Sequence, residues 1–215
     1  EATKDSVNSV YVQLNRDISA GGQPGQKLIE TAVEAGLPEG TVGLVPVLSN
    51  VLGNASPHAI DMATVFATYA AQGVRHDTHV VDHVFDTSGA TVYTGPTQGK
   101  RVFSEKVMAD ATFAMTKVAS EGTASQVSGL GRPVAGKTGS SNDYKSASFA
   151  GYIPQLATVV ALYQPSEDGT TEEPITPFGG YRPVAGGTVP ANLWLSYMKR
   201  VIDITHWEVV DFPTP

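Results

Sequence analysis

Between Val134 and Tyr163 three β-patterned runs follow one another with almost nothing between them. Val134 to Thr138 reads as a short strand, Ser141 to Lys145 as a polar turn, Ala147 to Tyr152 as a second strand and, after the Pro154 break, Leu156 to Tyr163 as a third. Runs joined so closely form an antiparallel meander. The first carries Gly136-Lys137-Thr138-Gly139-Ser140-Ser141 near one edge. That stretch sets side by side a cation, a short hydroxyl donor and a residue without a Cβ, which together suit an anionic group approaching the backbone closely.

The rest of the chain supplies helices to cover such a sheet. At 215 residues with 41% hydrophobic content the chain is long enough for a buried core. Lys27 to Ala35 has helical spacing and stops at Gly36. Ser56 as cap and Pro57 at the first helical position open a helix with Ile60, Ala63, Ala67 and Ala70 on one face, ending at Gly73. Ser104 caps a helix from Glu105 to about Ser120, and a last one runs from about Ala191 to Ile202. Between them, Val80 to Phe85 and Thr91 to Tyr93 flank a turn, as in a hairpin. Pro165 to Thr188 reads as a polar excursion whose Glu167, Asp168, Glu172 and Glu173 form a solvated acidic loop. The predicted fold is therefore α/β, of the α+β type: an antiparallel sheet with helices on both faces.

A net charge of −7 argues against a nucleic-acid surface, which needs clustered Lys and Arg. The chain has no cysteine, hence no disulfide framework and no thiolate metal site. Its apolar runs are strand-length, so this segment is not expected to contact a membrane. His76, His79 and His83 with Asp77 and Asp82 have the ligand types of a zinc site. Strand alternation would put His79 and His83 on one face and Asp82 on the other, so no metal is assigned. Taken locally, Ser6 and Asn8 before an apolar run read as a helix cap.

Ser6-Val7-Asn8, Lys137-Thr138-Gly139, Asn142-Asp143-Tyr144 and Phe149 to Pro154, in this order, resemble the transpeptidase domain of a class A, bifunctional penicillin-binding protein. Ser6 to Leu14, Ala59 to Gly73, Glu121 to Ala124 and Gly186 to Leu195 extend the resemblance over nearly the whole chain. It implies residues 1–204 as the C-terminal portion of that domain, with its N-terminal part missing, and 205–215 as a linker. It also implies a location on the extracytoplasmic face of the bacterial cell envelope, with a membrane anchor and a glycosyltransferase elsewhere in the protein.

The resemblance further implies peptidoglycan cross-linking by serine acyl transfer, with stem peptides as substrates, β-lactams as covalent inhibitors and no cofactor. In that family an SxxK motif with the acylated serine precedes SxN, but only Glu1 to Asp5 precede Ser6 here. The nucleophile is thus expected on a complementary N-terminal chain or segment, and this chain alone is expected to be inactive. Ser196-Tyr197-Met198-Lys199 has SxxK spacing but follows KTG, and we read it as chance. By the same resemblance Ser6 relays a proton, Asn8 holds the substrate peptide and Lys137 supplies a positive field. Thr138 and Ser140 meet the substrate carboxylate, Gly139 lets the substrate approach, and the Ser140 N–H is half of an oxyanion hole. A DD-carboxypeptidase or β-lactamase would share these tripeptides, and a non-catalytic binding domain would share the fold.

Overall fold

A four-stranded antiparallel sheet organises the chain, in the order β5 (Ala135–Ser140), β6 (Ser146–Ile153), β7 (Leu156–Pro165) and β8 (Glu172–Glu173). The computed structural model describes residues 1–215. Register is continuous: Lys137 pairs with Ala150, Ser140 with Ala147, and Phe149 with Val160. The meander is the one the strand spacing dictates. The acidic excursion departs from the expected loop only at Glu172 and Glu173, which pair with Pro165 and Gln164 as β8. At its tip Asp168 accepts from Ser166 and Thr170, and those bonds hold its carboxyl down to about 2.

The chain forms six helices, α1 (Ala2–Asp5), α2 (Asn8–Ile18), α3 (Gln26–Ala35), α4 (Ala59–Ala70), α5 (Glu105–Glu121) and α6 (Val189–Thr205), of which α4, α5 and α6 pack on this sheet, α1 on α5 and α3 on α4. Alternation along β6 divides the core in two. Phe149 and Ile153 meet Trp194 and Met198 of α6 on one face, whereas Ala150 and Tyr152 meet Val65 and Phe66 of α4 on the other. The Phe149 and Trp194 rings meet edge-on at 5.4 Å, and the Trp194 indole N–H donates to the Gly151 carbonyl at 3.3 Å. Helices therefore lie on both faces, as predicted. Helix α5 runs beside β5 and joins both cores, Met115 entering the α4 side and Val118 and Ala119 the α6 side.

Several local readings are corrected. His58, not Ser56, occupies the cap position of α4: the Asp61 carboxylate accepts from the His58 backbone N–H at 3.2 Å and lies 3.2 Å from the His58 Nδ1, one half of a capping box. Neither Ser6 nor Asn8 is the N-cap of α2. Val7 occupies the cap position of α2, Asn8 is its first helical residue, and Ser6 terminates α1 in a left-handed conformation, φ 56°. Only His83–Phe85 of the expected Val80 to Phe85 strand is β2, pairing with β3 (Thr91–Thr94) with a register shift between Val84 and Phe85. A second two-stranded pair joins β1 (Val74–Arg75) to β4 (Lys100–Arg101). Ser104 does cap α5, accepting from the Val107 N–H.

Beyond Thr205 the chain has no regular structure and runs along the body. Arg132 donates to the Trp207 carbonyl, Gln155 to that of Glu208, and Phe212 packs edge-on against Tyr152 at 5.4 Å. No helix is long and apolar enough to cross a membrane.

Candidate active site

Lys137 lies on the β5 edge strand and projects from the same face as Ala150, its partner on β6. Its ammonium is half-buried and donates to the Ser6 hydroxyl at 2.8 Å and to the Thr138 carbonyl at 3.1 Å. Burial disfavours the charged form and holds Lys137 below its ordinary value. Ser6 and Lys137 are 131 positions apart in the chain, so only the tertiary fold brings them together. An ammonium has no acceptor; the Ser6 oxygen accepts from it and keeps its own proton to give.

The Ser6 position is set from two sides. Its left-handed backbone is one a residue with a Cβ adopts at a cost of about 1–2 kcal/mol, and it turns the chain from α1 directly into α2. Helix α1 is in turn pressed onto the end of α5. The Thr123 N–H donates to the Lys4 carbonyl at 3.4 Å, and a Cβ at Gly122 would stand 2.6 Å from that same oxygen. The absent side chain of Gly122 therefore admits the segment that presents Ser6.

Thr138 and Ser140 alternate onto the α6 face of β5, opposite Lys137. The hydroxyls of Thr138 and Thr123 are 2.7 Å apart, and the Ser140 oxygen accepts from the Gly186 N–H at 3.0 Å. Gly139, between them, pairs with Ser148. Asn8 is exposed at the start of α2, two residues from Ser6. Ser6 and Lys137 are thus in direct contact, and Thr138, Gly139 and Ser140 continue the same edge.

Residues 1–177 match the family model of the penicillin-binding protein transpeptidase domain. The chain belongs to that family. Penicillin-binding protein 1A of Mycolicibacterium smegmatis is 31% identical over 235 aligned positions, which cover all of this chain and 28% of that protein. Penicillin-binding protein 1A of Mycobacterium tuberculosis is 28% identical, over all of this chain and 27% of that protein. The chain thus spans less than a third of the length of these curated relatives. The solved structure of PonA1, a penicillin-binding protein of M. tuberculosis, superposes with a TM-score of 0.80 at 26% identity. That superposition covers all of this chain and 58% of the other. PonA1 in complex with penicillin V superposes at 0.78 and 25% identity, with the same coverage.

Elsewhere this transpeptidase-family chain offers less. Ser196 and Lys199 are exposed on α6, which covers the sheet face opposite Lys137. The histidines disperse: His79 turns to the Asp77 carbonyl, His83 to the neighbouring Asp82 carboxylate at 3.0 Å, and no three ligand-type side chains converge. A cavity of about 270 Å³ lined by Leu37, Thr64, Arg75 and Asp77 contains none of the residues around Lys137. Sequence reasoning missed Gly122 and Thr123 as parts of the site. The stretch Glu121 to Ala124 stood out only by resemblance, because a lone threonine after a glycine announces no chemistry.

Proposed function

We propose that this chain supplies the proton-relay and carboxylate-binding half of a peptidoglycan D,D-transpeptidase site, the acylated serine and its lysine base coming from an SxxK segment outside residues 1–215. The observation that carries this reading is the 2.8 Å contact between the Lys137 ammonium and the Ser6 hydroxyl. A hydroxyl that accepts from a fixed cation holds its own proton ready to donate, and it can take another in turn. Ser6 thereby passes a proton between the base and the departing D-alanine amine while Lys137 stabilises the negative charge that develops. Desolvation strengthens this field, since the half-buried ammonium is less screened than one in water.

Substrate lies along β5. A peptide or β-lactam placed against this sheet edge meets Lys137 on one face and the Thr138 and Ser140 hydroxyls on the other. The two hydroxyls donate to the terminal carboxylate, Gly139 leaves the backbone open, the Ser140 N–H serves the oxyanion and Asn8 holds the peptide amide. The acceptor amine then attacks the acyl-enzyme, forming the cross-link and releasing the serine. PonA1, similar to this chain, has been solved with penicillin V, which supports β-lactams as ligands here. Residues 1–204 belong to the catalytic domain and 205–215 to a linker, and the site works on the extracytoplasmic face of the cell envelope.

The test is to treat the full-length protein with a labelled penicillin and map the adduct by mass spectrometry. The expected label is on the serine of an SxxK segment outside residues 1–215. A label on Ser196, or on any residue of this chain, would overturn the reading.

A further inference from the structure

We infer that Thr123 is a positioning residue for carboxylate recognition, its hydroxyl donating to Thr138 and so committing the Thr138 proton to the substrate. The inference rests on the reading above in which Thr138 and Ser140 bind the substrate carboxylate. A threonine hydroxyl owns one proton. The 2.7 Å contact between the Thr123 and Thr138 oxygens uses one proton, from either side. A carboxylate only accepts, so Thr138 must spend its proton on the substrate, and the contact behind it must then be filled by Thr123.

Ser140 obeys the same logic with a different donor. The Gly186 N–H donates to the Ser140 oxygen at 3.0 Å, and an N–H cannot reverse its role. The Ser140 proton is therefore directed away from Gly186. Two hydroxyls on one face of β5, two residues apart, each have a donor behind them, one from backbone and one from the Thr123 side chain. A hydroxyl that accepts one hydrogen bond is polarised and donates a stronger one.

Thr123 cannot drift from this place. Its N–H is tied to the Lys4 carbonyl, and its own carbonyl lies so close to Gly187 that a Cβ there would stand 2.1 Å away. Thr123 thus links the segment that carries Ser6 to the strand that carries Lys137, while its exposed side chain faces Thr138.

The experiment uses the full-length protein and compares acylation by a penicillin with a free carboxylate against its methyl ester. Thr123→Val, which keeps the shape and removes the hydroxyl, should weaken pre-covalent binding of the free acid by about five- to tenfold, the worth of one neutral hydrogen bond. It should leave the ester and the acylation step unchanged. Thr123→Ser should behave as wild type, and Thr123→Val should add nothing in a Thr138→Val background. Equal slowing of acid and ester, or a preference for the acid that survives Thr123→Val, overturns the role of Thr123 alone. A wild-type protein indifferent to the carboxylate overturns the carboxylate reading and the inference with it.

Discussion

Gly122→Ala separates the placement of Ser6 from the chemistry of Ser6. The new methyl would stand 2.6 Å from the Lys4 carbonyl oxygen, 2.8 Å from Lys4 Cγ and 2.8 Å from the Val118 backbone. Ordinary contact begins at 3.4 Å and Val118 lies in the core and cannot yield, so residue 122 is pushed toward α1, whose end must retreat by at least about 0.8 Å. Gly122 has φ −108°, which alanine adopts freely, so the effect is steric and not conformational. Ser6 follows two residues after Lys4, and a retreat of that size stretches the 2.8 Å contact to Lys137 beyond hydrogen-bonding range. Losing a hydrogen bond to a charged group costs about 1.5–3 kcal/mol. The full-length Gly122→Ala protein should therefore be acylated by penicillin roughly 10- to 100-fold more slowly, and its unfolding midpoint should fall because the methyl also crowds the buried Val118 backbone. The assay is the second-order acylation rate beside a thermal melt. Wild-type acylation in a normally folded variant would refute the proposal that α1 packing sets the relay.

Lys137→Met should slow acylation by more than about tenfold, or about 1.4 kcal/mol of barrier, yet should not destabilise the fold at pH 7. Burial lowers the Lys137 pKa, so between its folded value and the ordinary 10.5 the unfolded chain binds more protons and wild-type stability rises with pH. The charge-burial cost is thus fully present below the folded value, and the relative advantage of methionine should shrink as pH rises toward 10.5; urea unfolding at the two ends of that range measures it. Trp194→Ala removes a fully buried ring and its bond to Gly151, and should cost about 3–5 kcal/mol. A loss below about 1 kcal/mol would contradict α6 as the cover of that sheet face.

The sheet was legible because its signals are local. Alternation and turn residues from Val134 to Pro165 define the meander whatever else surrounds it, and Gly36 and Ser104 mark helix ends by their own chemistry. The start of α4 was misread because Ser56-Pro57 satisfies the same rules two residues early, while the deciding pair, His58 with Asp61, uses a less common cap. Ser6 was misread locally for a physical reason: a serine before an apolar run is ordinarily a cap, and nothing nearby reveals a left-handed turn. That Ser6 meets Lys137 across 131 positions followed from resemblance, never from spacing. Gly122 and Thr123 act only through contacts with distant backbone, which leave no periodic trace.

The most direct measurement is a double-mutant cycle of Ser6→Ala and Lys137→Met on penicillin acylation of the full-length protein. If the hydroxyl and the ammonium act as one relay, each single variant loses more than about tenfold and the double variant is no slower than the worse single one by more than about twofold. If the two losses multiply, the residues act independently, and the 2.8 Å contact between them is not the working unit of the site.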